Sequence, residues 1–514
     1  MTNRDLQATW TYHNDTKHSY QSLRTRPHHM DWANRPVPFK TYSALEPIPL
    51  PRDLPSSGVG ALSAISNAGL AQDGDRVPDL KTLAQLLYFS AGITKRVTRP
   101  GGEMFFRPAS CTGALYHIDL YIICGDLSDL EAGVYHFDPH DFALRRLRQG
   151  DFRAVVVQAT GGEQSTASAP VVIACASTYW RNAWKYQARA YRHCFWDSGT
   201  ILANLLAAAV ARDLPARLVG GFTDRALSRL LGLDDAREGA ICLVALGQTP
   251  AASSAPAPEI EPLRLETAPL SATEVDYPAI REMHVASGLE TEEEVAAWRG
   301  SAPPPTLHEP SGRLFPLDPL SDADEPGDSI EQVILRRGST REFDPQAFIS
   351  FRQLSTMLRS ATRGIPADFL EPAGATMNDL YLIVHNVDGL PGGAYLYHRG
   401  REALEQLKEG SFRSEAGYLG LEQALPAAAS ANVFFLSDLA PVLERFGNRG
   451  YRVAQLEAAV MGGKLYLAAY AQRLGATGLT FYDDDVTAFF SPHAAGKSVM
   501  FLVALGKSVT RRRR

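Results

Sequence analysis

The sequence predicts an α+β protein built from two copies of one unit on a single chain. Three observations carry this: a long-range internal repeat, the same order of strands and helices in each copy, and a proline-rich stretch between them. Asp119-Leu120-Tyr121 recurs as Asp379-Leu380-Tyr381, 260 residues on. At the same offset Gly133-Val134-Tyr135-His136-Phe137 recurs as Gly393-Ala394-Tyr395-Leu396-Tyr397, Asp151-Phe152-Arg153 as Ser411-Phe412-Arg413, and Tyr191-Arg192 as Tyr451-Arg452. Leu243-Val244-Ala245-Leu246-Gly247 recurs 259 residues on as Leu502-Val503-Ala504-Leu505-Gly506. Ordered matches at a near-constant offset mean a duplicated domain.

Each copy runs through the same elements. A helical pattern over 83–91 or 354–361 comes first, then a loop and an apolar strand at 118–124 or 380–384. A Gly-Tyr hairpin signal and a second apolar strand follow, at 171–176 or 433–436. The longest helical run, rich in Ala and Leu, occupies 190–211 or 451–474. A last strand, 240–246 or 498–505, closes the unit. Strands joined by hairpins and mixed with helices predict a largely antiparallel sheet. Between the copies, Pro250 to Pro258 and Ser301 to Pro305 are too rich in proline for a ladder or helix interior. The expected division is domain one over 1–250, a linker over 251–324 with one short acidic helix near Thr291 to Arg299, and domain two over 325–514.

Composition narrows the function classes. The 514 residues are 45% hydrophobic and 21% charged, ordinary for a globular chain, and the net charge of −6 gives no basic field for nucleic acid. The only basic block, Arg511 to Arg514, is expected to be a solvated tail. Five cysteines without metal spacing, a polar segment from Met1 to Tyr12 and no long apolar run predict a cytoplasmic chain with no membrane span and no metal. No GxxxxGK[ST], GxGxxG, HExxH or GxSxG is present, which removes the usual support for nucleotide hydrolysis, Rossmann binding, zinc proteolysis and serine hydrolysis.

Three constellations could carry chemistry. Arg336 to Phe343 clusters guanidinium groups with Ser339, as a phosphate requires, although a solvated basic turn reads the same way. Thr16-Lys17-His18-Ser19 is its weaker counterpart in domain one. The loop Arg107 to His117, with Ser110, Thr112 and Gly113, lets backbone N–H groups approach a planar or anionic ligand, and equally suits a strand entry. Cys111 within it is expected to be structural. Trp184 to His193 gathers Lys185, Tyr186, Arg189, Tyr191 and Arg192 at the head of a buried helix. A cationic, aromatic-walled setting there would lower a Lys or Tyr pKa, and the bland alternative is a solvated helix start. At Lys185 and Tyr186 plus 260 stand Arg445 and Phe446, which have no proton to exchange near neutral pH, so domain one would carry the chemistry.

These residues resemble the nitroreductase superfamily, and within it the SagB-type thiazoline/oxazoline dehydrogenases. Arg337-Gly338-Ser339-Thr340-Arg341 is similar to the superfamily's Arg-x-Ser-x-Arg phosphate motif, and Lys17-His18-Ser19 to its SagB-type form. Ser110 to Tyr116 resembles the Ser-Ala-Gly-Ala-Leu-Tyr-Pro loop against the flavin, from which Cys111, Thr112 and His117 depart. Lys185-Tyr186, with Arg189, resembles the Lys-Tyr element of azoline dehydrogenation. Leu218 to Phe222, with Gly220 and Gly221, resembles the segment whose backbone reaches the flavin ring. The resemblance implies two tandem FMN-binding α/β sandwiches forming an intrachain pseudo-dimer, with further homodimerisation open. It implies Lys185 and Tyr186 as catalytic, with phosphate, ring and loop contacts from the other residues named. The expected substrate is a small molecule or modified peptide. An NAD(P)H-dependent nitro, quinone or ene reductase and a non-catalytic peptide-binding partner remain alternatives.

Overall fold

The apolar runs become the central strands of two seven-stranded sheets. The computed structural model describes residues 2–25, 27–66, 74–99, 102–249, 256–303, 309–321, 324–372 and 374–509; residues 250–255, 304–305 and 511–514 of the segments discussed above lie outside these. The first sheet has the strand order Pro47–Pro49, Ala143–Gln149, Gly133–Asp138, Ile118–Cys124, Val171–Thr178, Glu238–Leu246, Ala216–Val219. The second repeats it with Leu314–Pro316, Ala403–Glu409, Gly393–His398, Asn378–Val384, Ala431–Ser437, Ser498–Gly506 and Gly475–Gly478. Every pairing within both sheets is antiparallel. Register shifts fall between Val134 and Tyr135 and between Ala394 and Tyr395, so even the irregularities are duplicated.

Ile118–Cys124 is buried throughout because both faces of the sheet are covered. Leu120, Ile122 and Cys124 join the large core shared by the two copies, while Tyr121 and Ile123 join a second core with Val155, Val156, Leu227 and Leu230 of the outer helices. The period of two along the strand produces that division. The sandwiches meet where the two long helices, Ala190–Val210 and Arg449–Ala471, cross. A Cβ on Gly199 would lie 2.5 Å from Ala459 Cβ, and one on Gly463 would lie 2.6 Å from Ala203 Cβ. These four positions are pairs at the 260-residue offset, so each faces its own counterpart, as a pseudo-twofold axis requires. Gly199→Val is therefore expected to force the helices apart, lowering stability by about 1–3 kcal/mol, read as a lower urea midpoint.

The expected linker is folded over much of its described length. Pro278–Ala286 and Glu292–Trp298 are both helices, the second capped by the Thr291 hydroxyl. The one helix expected near Thr291 is present; the one at Pro278–Ala286 was not expected. The stretch repeats the N-terminal segment of the chain. Arg192 donates to the His13 carbonyl at 2.7 Å and to Thr16 Oγ1 at 3.0 Å, and Arg452 donates to the His284 carbonyl at 2.6 Å and to Ser287 Oγ at 2.8 Å. His13 and His284 are 271 residues apart, as are the N-caps Asp79 and Ser350 of the helices Leu80–Ala91 and Phe351–Thr362. Thus 277–289 corresponds to 6–18, inside what composition marked as spacer. The offset falls to 260 at the first central strand, and the hairpin of Lys95–Arg99 with Gly102–Phe106 in the first copy accommodates the difference.

Candidate active site between the repeats

Arg337 and Ser339 leave the end of the helix Ile330–Arg336 and meet the loop of the other copy. Arg337 Nε donates to the Pro108 carbonyl at 2.6 Å and Nη2 to the Arg107 carbonyl at 3.3 Å. Its guanidinium lies over Tyr466, 5.7 Å from the ring centroid, and Ser339 Oγ is 3.4 Å from Tyr466 Oη. Thr480 Oγ1 is buried without a partner, and among the described residues the Thr480 and Phe481 N–H groups donate to nothing.

The loop that receives Arg337 is fixed by an acid within the long helix. Asp197 accepts from the Thr112 N–H at 2.9 Å, from Thr112 Oγ1 at 2.8 Å and from the Cys111 thiol at 3.0 Å. It also meets His117 Nε2 at 2.9 Å, whose Nδ1 reaches Ser177 Oγ at 2.8 Å. The Ser110 carbonyl accepts from Thr200 Oγ1 at 2.7 Å. Burial, with the Asp197 carboxylate beside it, pushes the Cys111 thiol well above its ordinary value, so it serves here as a hydrogen-bond donor. Asp197 escaped the sequence reading, although an available signal marked it: an acid stands inside an apolar helix in both copies, since Glu457 lies 260 residues on and accepts from Thr376, Met377 and Asn378.

Gly113 adopts φ +65°, and a Cβ there would sit 2.9 Å from Tyr186 Oη, so the loop and the Lys-Tyr element touch through a glycine. Lys185 and Tyr186 end the helix Tyr179–Tyr186, with Lys185 Nζ 5.2 Å from the Tyr186 ring centroid. Gln187 follows at φ 51°, ψ −141°, a backbone region that favours glycine; 260 residues on, Gly447 takes φ 68°, ψ −162°. Backbone strain is thus retained in the copy that carries Lys185.

The electrostatics separate the two side chains. Partial burial lowers the Lys185 pKa, and the charges of Arg341, from the second copy, and Arg35 lower it further. None of these three cations has an ion-pair partner among the described residues. Tyr186 shifts the opposite way: burial, and then the negative charge of Asp197, raise its pKa. Of the two side chains that this setting was expected to lower, Lys or Tyr, only Lys185 is lowered. Tyr186 is suited to donating a hydrogen bond, Lys185 to exchanging a proton.

The remaining expected residues stand elsewhere. Arg189 donates to Asp483 Oδ2 at 3.0 Å and to the Thr16 carbonyl at 2.6 Å, leaving Nε and Nη2 unpartnered. The His18 N–H donates to the Asp483 carboxylate at 2.8 Å, and burial with Arg189 nearby brings the His18 pKa down to about 3, so the ring is neutral. Lys17 pairs with Asp484 at 2.8 Å, and Ser19 Oγ accepts from the Ser22 N–H. Lys17, His18 and Ser19 therefore sit at the head of the helix Asp483–Phe490, not in a counterpart of the Arg337 turn. At the 271-residue offset, Arg337, Ser339 and Arg341 correspond to Ser66, Ala68 and Leu70. The Gly220 and Gly221 N–H groups are both taken by Asp368, at 2.7 and 3.0 Å.

Two sandwiches related by a pseudo-twofold axis, with cationic and aromatic side chains of both copies meeting at the loop Arg107–Tyr116, define a tandem α+β fold. The nitroreductase family model matches residues 78–248 and 334–507, and the chain belongs to the nitroreductase family. It is 24% identical over 156 residues to the Methanocaldococcus jannaschii protein MJ1384, named for the nitroreductases, spanning 30% of this chain and 75% of that one. It is 25% identical over 134 residues to the microcin B17-processing protein McbC of Escherichia coli, spanning 25% of this chain and about half (49%) of McbC. A crystal structure from Anabaena variabilis, named for the nitroreductases, is 25% identical with a TM-score of 0.76, covering 98% of this chain and 99% of that one. The tandem arrangement therefore extends along a second whole chain. Among the described residues no group of side chains could hold a metal, and no helix is long and apolar enough to cross a membrane.

Proposed function

We propose that this nitroreductase-family oxidoreductase is an FMN-dependent dehydrogenase of the azoline-to-azole type, acting on a peptide or natural-product intermediate. The carrying observation is Lys185, without an ion-pair partner among the described residues, lying over Tyr186 beside Gly113 and depressed in pKa by burial and then by cations of both copies. Similarity to a microcin-processing protein favours a natural-product substrate.

The residues present fit a flavin mononucleotide. Arg337, Ser339 and the unpaired Arg341 suit a phosphate, and the free N–H groups of Thr480 and Phe481 suit ring acceptors. When bound, FMN supplies a hydride acceptor. Lys185 would take the proton that leaves the substrate carbon, and its lowered pKa keeps a larger neutral fraction available near pH 7. Tyr186, held protonated, would orient the azoline by donating a hydrogen bond, while Asp197 fixes the loop against which the substrate lies.

Family membership also favours a second reading, an NAD(P)H-dependent reductase. Anaerobic mixing with NAD(P)H separates the two. The dehydrogenase reading expects the absorption band of oxidised flavin to persist over about a minute, a time long against ordinary turnover. Bleaching within a turnover would establish the reductase instead.

A further inference from the structure

We infer that each chain holds one flavin, in the cleft joining Arg337 to the loop Arg107–Tyr116, and that the symmetry-related cleft is filled by the chain itself. This rests on the FMN reading above. A symmetric pair of clefts would require each ligand-facing element twice. The residues at the second position differ at the amide pair, at the loop and at the phosphate-type turn.

The amide pair is the clearest. Leu479-Thr480-Phe481 is the second copy's counterpart of Val219-Gly220-Gly221-Phe222, one residue shorter and without either glycine; Arg189 lies over Phe481 as Arg449 lies over Phe222. In the first cleft the Thr480 and Phe481 N–H groups are unused. In the second, the Asp368 carboxylate accepts from both Gly220 and Gly221 and occupies the place of any incoming acceptor. Asp368 corresponds to Pro108, which has no acceptor side chain, so this carboxylate exists in one cleft alone.

The space is filled as well. A Cβ on Gly220 would lie 2.9 Å from the Phe369 ring, and one on Gly221 would lie 2.9 Å from the Trp298 ring. Both rings are buried, and Trp298 is anchored by its Nε1 donating to the Phe446 carbonyl at 2.9 Å. The glycines are thus small because side chains of the same chain press on them, which leaves no layer for a planar ligand. The flanking backbone is closed too: the Leu218 N–H donates to the Pro366 carbonyl at 2.8 Å, and the Asp368 N–H donates to the Leu218 carbonyl at 3.1 Å. Finally, Ser110, Thr112 and the phosphate-type residues Arg337, Ser339 and Arg341 have Leu370, Pro372, Ser66, Ala68 and Leu70 as counterparts in the sequence, so the hydroxyls of the loop and the Arg-Ser-Arg pattern are not repeated.

Flavin-stripped protein titrated with FMN, followed by loss of flavin fluorescence at protein concentrations far above Kd, gives the stoichiometry directly. The expected break is at one FMN per chain, unchanged in Asp368→Asn. Arg337→Ala should weaken binding about ten- to hundredfold, the loss of charge-assisted bonds. Since Arg337 also holds a loop, Arg341→Ala, at an exposed position, is the second variant and should weaken binding in the same direction. A break at two FMN per chain would overturn the single site while leaving the flavin reading intact. So would a single break that survives both arginine replacements unchanged. No break at all would overturn both.

Discussion

Lys185→Ala is expected to retain FMN while losing about 10²–10⁴-fold in kcat on an azoline substrate, the range of a positioned proton-transfer group. Burial and the charges of Arg341 and Arg35 lower its pKa while that of Tyr186 beside it is raised, so Tyr186 is not suited to take over the proton. Flavin retention is unaffected because the phosphate-type residues lie in the other copy. The rate should rise with pH as Lys185 loses its proton, with the midpoint below that of an ordinary lysine. Arg35 is exposed and helps to depress it; Arg35→Gln should return the midpoint to higher pH without changing flavin content. Stopped-flow flavin reduction across pH measures both effects. Turnover unchanged in Lys185→Ala would remove its assigned role.

Asp483→Ala is expected to cost about 3–5 kcal/mol, because it strands the buried guanidinium groups of Arg189 and Arg192. Asp224→Ala should cost a similar amount, since Asp224 receives Arg449 and Arg452 from the other copy. In both cases the acid and the arginines belong to different repeats, so the loss should appear as a lower midpoint of one cooperative urea transition rather than as separate unfolding of one half. Burial opposes ionisation, yet the paired arginines prevail and hold both carboxyls well below the usual range. An aspartate in the unfolded chain titrates near 3.9. The stabilisation is therefore full above about pH 4 and is lost as pH falls toward the folded values. Acid titration should destabilise the wild type between about pH 4 and 2 and affect the Asp483→Ala protein less.

Much of the fold could be read from the chain. Continuous apolar runs at 118–124 and 171–176 placed strands, and the Ala/Leu-rich stretch from Ala190 placed the long helix, because burial on both sides leaves an unbroken apolar signal. The duplication was legible because strands keep their spacing. What escaped lay where the offset changes: proline-rich composition hid the helix Pro278–Ala286, whose equivalence to Gln7–Asp15 rests on His13 and His284 bonding alike across the axis. In the site, Lys185, Tyr186, Thr112, Gly113 and Arg337 were visible as residue types. Asp197, Asp368 and Trp298 were not, since the partners named for them across the fold lie between 80 and 148 residues away.

By itself the sequence determined that this protein is one unit written twice, and that the halves have unequal chemistry, since Lys185-Tyr186 and Arg337-Gly338-Ser339 each occur in one copy only. Only the tertiary structure decided what that inequality builds. The crossing at Gly199 and Gly463 brings the Arg337 turn of one copy against the loop of the other, while Asp368, Phe369 and Trp298 close the opposite cleft. Hydrogen-bond geometry and close packing between segments remote in sequence have no periodicity to leave along the chain, so they become visible only when the two copies are folded together.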